Sequence, residues 1–173
     1  MKAISTVTAR MRALGGAPAL YWRGRTYAYD ELLGEIDRWN ARLAELGIGR
    51  SSICAVYGDY SMPIAALLFA LMNARAVIVP LTPSIDPEIP AFIGISGCEH
   101  MLRFAADGAW THERLAASPR PALLDQLTET DTPGLIVFTS GSTGRPKGIL
   151  HDCERVMRKF LIQRPPWRTV LFL

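Results

Sequence analysis

Between Ile53 and Phe104 short apolar runs of strand length alternate with runs of helix length, and the few residues between them leave little choice of fold. Ile53 to Tyr57 reads as a buried strand, Met62 to Met72 as an apolar helix, Ala76 to Pro80 as the next strand and His100 to Phe104 as another. Asp86 to Ser96 reads as a helix in spite of Pro87 and Pro90, since an early proline falls where its missing N–H is not needed. Short connections between such elements indicate parallel βαβ units, so the fold class is α/β, with a parallel sheet flanked by helices.

The N-terminal stretch includes the segment Ala19 to Tyr27, ahead of a helix. A long helix then begins at Tyr29-Asp30-Glu31-Leu32, with Leu32, Leu33, Ile36, Trp39, Leu43 and Leu46 at helical spacing and Gly47 and Gly49 as its stop. Ala28 has no side-chain oxygen for the free N–H groups, so this helix start is expected to fray or to be capped by Asp30. Ile4, Val7, Met11 and Leu14 form one stripe of a short helix docked on the domain. Trp22, Tyr27, Trp39 and Tyr57 are assigned to the core, and His100 and His112 have no partner visible in sequence. Residues 106–132 change texture, with Gly108, Pro119 and Pro121 interrupting polar residues, and read as a linker. The expected organisation is a first βαβ region over 1–105, that linker, and a strand, loop and helix over 133–173.

Composition excludes several classes. The net charge of +3 is modest, and the basic residues lack the aromatic interleaving of a nucleic-acid platform, so no nucleic-acid partner is expected. Met62 to Met72 is well short of the roughly 20 residues a spanning helix needs, so no membrane span is expected. Cys54, Cys98 and Cys153 form no metal pattern and read as reduced thiols. The basic N-terminus lacks the apolar core of a secretory signal, which makes the cytoplasm the expected location.

The chemistry is concentrated in the run Phe138 to Leu150, which follows the apolar strand Gly134 to Phe138. That strand is expected to be buried on both faces of a parallel sheet. Gly141, Gly144 and Gly148 allow positive φ and a close approach of backbone N–H groups to an anion. Thr139, Ser140, Ser142 and Thr143 supply rotatable hydroxyl donors, and Lys147 a compact positive charge, with Pro146 restricting the backbone before it. Charge-assisted donors in this number favour a polyphosphate over a neutral ligand. The run is not a Walker A loop, because Gly141 and Gly144 are too close and Gly148 stands where a magnesium-binding hydroxyl belongs. Nor is it the dinucleotide fingerprint, which needs a third glycine at a fixed offset.

This loop resembles the signature of the adenylate-forming enzymes, which include acyl-CoA synthetases, luciferases and the adenylation domains of peptide synthetases. The segment Ala19 to Tyr27 resembles their opening strands, and Leu71 to Thr82 resembles a second family motif in which Arg75 replaces the usual glycine. The resemblance implies that Thr139 to Lys147 hold the β- and γ-phosphates of ATP while a carboxylate attacks the α-phosphorus. It implies ATP and Mg²⁺ as cofactors, a small-molecule carboxylic acid as substrate and CoA as a possible acceptor, as in acyl-CoA synthetases.

The chain ends within the apolar run Val170 to Leu173, which predicts the incomplete N-terminal part of an adenylate-forming large domain. On that expectation the magnesium-holding acidic residue, the adenine and acyl pockets and the catalytic lysine lie downstream. The shorter chain would be inactive and would self-associate through exposed strand edges. A stand-alone, non-catalytic nucleotide-binding or interaction module is the alternative reading.

Overall fold

The computed structural model describes residues 2–116, 118–140 and 146–162. Its framework is a six-stranded sheet in the order β6-β5-β3-β4-β7-β8, made of β3 (Ile53–Tyr57), β4 (Val77–Leu81), β5 (His100–Phe104), β6 (Trp110–Arg114), β7 (Gly134–Ser140) and β8 (Pro146–Asp152). The pairs β3–β4, β3–β5 and β4–β7 are parallel, as the short apolar runs require. Both edges are antiparallel: β6 folds back on β5, and β8 folds back on β7. The strand beginning at Gly134 therefore has one parallel and one antiparallel neighbour, and Val137 is exposed. This corrects the expectation of a strand covered on both faces. The strand at Pro146–Asp152 was not anticipated.

Helices cover the two faces. On one lie α2 (Tyr29–Glu45) and α3 (Met62–Asn73), whose Leu32, Ile36, Trp39, Leu67 and Leu71 pack with Cys54, Val56, Ile78 and Leu102 of the sheet. α3 is apolar on most of its surface because α2 packs on it from outside. On the other face α4 (Ile89–Ser96) and α5 (Leu123–Thr130) place Ile89, Phe92, Leu124 and Leu127 against Ile53, Ala55, Val79, Met101 and Ile136. The two prolines of the Asp86 to Ser96 region, Pro87 and Pro90, fall in different elements, because a 3₁₀ turn over Pro83–Glu88 precedes α4. A separate two-stranded ribbon joins β1 (Pro18–Trp22) to β2 (Arg25–Ala28). The N-terminal helix α1 (Lys2–Leu14) buries Ala3, Ile4 and Met11, as the stripe predicts.

Helix ends explain two sequence oddities, at Ala28 and at Arg75. At the start of α2 Ala28 contributes no side chain, and the Glu31 carboxylate accepts from the Ala28 N–H at 2.9 Å; Glu31, rather than Asp30, supplies the cap. α3 begins at Ser61, whose hydroxyl oxygen accepts from Ile64 N–H. It ends with Arg75 at φ 57, while Arg75 N–H donates to Met72 O and Ala76 N–H to Leu71 O. That pattern is the left-handed helix stop that glycine fills most easily. The Arg75 side chain meets Asp131 at 3.1 Å, and Arg50 meets the same carboxylate at 2.9 Å.

Residues 106–132, read as a linker from composition, hold β6 and α5. Leu124 is 1% exposed, so the segment contributes to the core. The signal was weak because β6 alternates half-buried and exposed residues at a sheet edge, and α5 is only two turns long. β6 also gives His100 the partner that sequence did not disclose: His100 Nδ1 and His112 Nε2 lie 3.0 Å apart. Burial, and then the neighbouring His112, hold the His100 imidazole below the ordinary histidine range; Arg114 acts the same way and Glu99 opposes it.

Leu124→Ala is expected to lower the unfolding free energy in urea by about 2–5 kcal/mol, whereas a linker leucine would change it by less than about 0.5 kcal/mol. The depressed His100 value carries a second expectation. Below about pH 6.5 the unfolded chain takes up this proton before the folded chain does, so His100's contribution is intact above that pH and is lost as pH falls toward its folded value. Urea midpoints compared between about pH 7.5 and pH 5.5 should fall less in His100→Gln than in the parent chain; equal falls would exclude the effect.

Candidate functional site

The candidate site is the tip of the β7–β8 hairpin. β7 runs parallel to β4, so its tip lies at the carboxyl end of the parallel strands, the end at which open α/β sheets receive ligands. The hairpin register pairs Phe138 with Gly148, Thr139 with Lys147 and Ser140 with Pro146. Directly opposed residues project to one face of a ladder, which brings the Thr139 hydroxyl and the Lys147 ammonium to the same side. Both are exposed, and Lys147 has no ion pair among the described residues. Pro146 opens β8, a position where a missing N–H is tolerated. Gly141, Ser142, Thr143 and Gly144 lie outside the described residues, as does Arg145.

Gly148 behaves differently from its sequence reading. It sits in extended β8 without positive φ, and a Cβ there would meet Ile136 Cγ2 at 3.2 Å and Phe138 Cε1 at 3.4 Å. Its role is to let the hairpin's own apolar side chains cross the strand.

A cleft of about 390 Å³ borders the tip and is lined by Pro80, Ile85, Glu88, Phe92, Val137, Phe138, Thr139 and Pro146. Phe92 of α4 stacks on Phe138 of β7 with ring centroids 3.9 Å apart and planes at 5°, which fixes the apolar wall beside Thr139. Sequence reasoning missed Glu88 and the Phe92–Phe138 pair. Neither has a periodic signal, because the two rings meet only after β7 pairs with β4.

The remaining candidates are structural. His151 is half-buried in β8 opposite Leu135. Asp152 accepts from Arg155 N–H and caps α6 (Cys153–Met157), which gives way to a 3₁₀ turn over Arg158–Phe160. Residues beyond 162, in the stretch of 133–173 expected to end in a helix, lie outside the described residues. Burial pushes the Cys153 thiol up to about 12 and the Cys98 thiol up to about 11, and it raises Cys54 further still. Thiols in that range are not thiolate nucleophiles at neutral pH. Among the described residues no group of three or more His, Cys, Asp or Glu is arranged to hold a metal, and no helix is long and apolar enough to cross a membrane.

A model of the AMP-binding enzyme family matches residues 7–170. Surfactin synthase subunit 3 of Bacillus subtilis is 28% identical over 145 residues, which make up 76% of this chain and 11% of that protein. Acetyl-coenzyme A synthetase of Rhodopirellula baltica is 24% identical over 191 residues, covering 79% of this chain and 28% of that protein. The chain thus spans a minor part of either relative. Among solved structures, the N-terminal subdomain of Klebsiella oxytoca NpsA superposes with a TM-score of 0.67 at 22% identity, covering 91% of this chain and 42% of that one. At that identity the likeness is one of fold.

Proposed function

The chain belongs to the AMP-binding enzyme family, the adenylate-forming enzymes, and from that premise we propose that its β7–β8 hairpin is the polyphosphate clamp of an AMP-forming acid–thiol ligase. The observation that carries this reading is the Thr139–Lys147 cross-strand pair at the carboxyl end of the parallel strands. Thr139, Ser140, Ser142 and Thr143 donate hydroxyl hydrogen bonds to the β- and γ-phosphates, Gly141 and Gly144 let backbone N–H groups approach, and Lys147 neutralises charge. Mg²⁺ bound with the nucleotide would supply further positive charge at the phosphates that Thr139 and Lys147 hold on this reading.

In the reaction a carboxylate oxygen bonds to the α-phosphorus, the bond from that phosphorus to the bridging oxygen breaks, and pyrophosphate leaves with the electron pair. The charge that accumulates on the leaving group is what a fixed set of donors and one ammonium stabilise. The acyl-adenylate then passes its acyl group to a thiol, with AMP leaving. Coenzyme A is the acceptor we draw from the relation to acetyl-coenzyme A synthetase, and a carrier-bound thiol the one drawn from the peptide synthetases. The wall of Ile85, Phe92 and Phe138 keeps water away from one side of the clamp.

On this reading the chain by itself binds nucleotide without completing adenylation. Its exposed β8 edge and the exposed Val137 and Ile149 favour self-association, which light scattering would register as a mass above that of the monomer.

Calorimetric titration with MgATP should show the Lys147→Ala chain binding about ten- to a hundredfold more weakly than the parent, the range expected for one charge-assisted hydrogen bond. Unchanged affinity would contradict the clamp.

A further inference from the structure

We infer that Glu154 is a positioning residue, which fixes the phosphate hairpin by tying it to the N-terminal helix. Its consequence for nucleotide binding rests on the clamp reading above, and its structural part does not. Glu154 is the second residue of α6, two residues past the end of β8, and is 7% exposed. One carboxylate oxygen accepts from Ala3 N–H at 2.5 Å and the other from Ile4 N–H at 3.3 Å. These are first-turn amides of α1, which have no acceptor within their own helix. A carboxylate can only accept, and it stands at the positive end of the helix, so both hydrogen bonding and the helix dipole favour the contact.

Further contacts join the same two elements. Arg10 of α1 donates to Leu161 O at 2.8 Å and to Phe160 O, just beyond α6. Between the polar ties Ala3, Ile4, Cys153 and Met157 form a separate buried cluster, against which Leu135 of β7 and Phe69 and Met72 of α3 pack. α1 is therefore held along its length by the segment that follows β8.

The hairpin needs such a support. β7 pairs with β4 only at Gly134 and Leu135, and β8 is the last strand of the sheet. From Ile136 outward the two strands are paired only with each other, and a two-stranded ribbon is marginal by itself. The direction in which Thr139 and Lys147 point is thus set on one face by α4, through the Phe92–Phe138 stack, and at the base, where β4 holds one strand and α6, through Glu154, holds the other to α1.

Hydrogen exchange of the chain with Glu154→Gln, which keeps the shape and one acceptor, tests this. Amide exchange should rise about fivefold to tenfold in α1 and also across Lys147–Leu150, while Cys54 and Ala55 of central β3 stay protected. Arg10→Ala should shift the same two segments in the same direction. Pyrophosphate affinity should fall in Glu154→Gln, with the melting temperature above the assay temperature. Faster exchange confined to α1, or an equal rise in β3, would overturn the positioning role, the first by separating helix from hairpin and the second by showing a global loss of stability. Failure of the parent chain to bind pyrophosphate would remove the clamp reading and leave the exchange result to decide the link.

Discussion

Two parallel pairs, Val77 with Gly134 and Ile78 with Leu135, join the hairpin to the rest of the sheet, and Gly134 N–H adds a hydrogen bond to Ala76 O at 3.1 Å. The pairing depends on the absence of a side chain at Gly134. A Cβ there would stand 2.6 Å from Leu127 Cδ1 and 3.2 Å from both Val77 methyl groups. With glycine at that point α5, β4 and β7 meet without displacing the Leu127 or Val77 side chains, so the helix in the segment read as a linker, the parallel core and the hairpin pack together around one residue.

From this junction the architecture follows with few further choices. Parallel strands demand cover on both faces, which α2 and α3 provide on one side and α4 and α5 on the other. The Phe92–Phe138 stack carries the α4 layer onto the hairpin, and the cluster around Ala3 and Met157 carries α1 onto it from the other side. A mobile polyphosphate needs donors whose relative positions are already set, because ordering them at the moment of binding would cost affinity. The described part of the hairpin is braced by β4, α4 and α6, and on the proposed reading that support holds Thr139 and Lys147 in place for a ligand.

The sequence disclosed the core of this arrangement and concealed its edges, for physical reasons. β3, β4 and β5 are largely buried, so their runs are mostly apolar and stand out, with Arg103 the exposed exception in β5. α2 was legible from one apolar stripe ending in glycine. β6 and β8 border the sheet, present mixed residues and resemble loops in composition. Gly148 looked like a turn residue because sequence cannot separate a glycine that bends the chain from one that makes room for a neighbour's ring. Thr139 and Lys147 were legible as donors, and their pairing was not, since register appears only when both strands of the hairpin are recognised. Glu154 gave no sign of its partners, which lie 150 and 151 residues away.

The central claim is that the hairpin tip receives an anion. Titrating isotopically labelled chain with magnesium pyrophosphate, and following each backbone amide by nuclear magnetic resonance, tests it most directly. The account predicts shifts concentrated from Thr139 to Gly148, with the amides of β5 and β6 at the far edge unmoved. Shifts centred elsewhere, or none at saturating ligand, would contradict it.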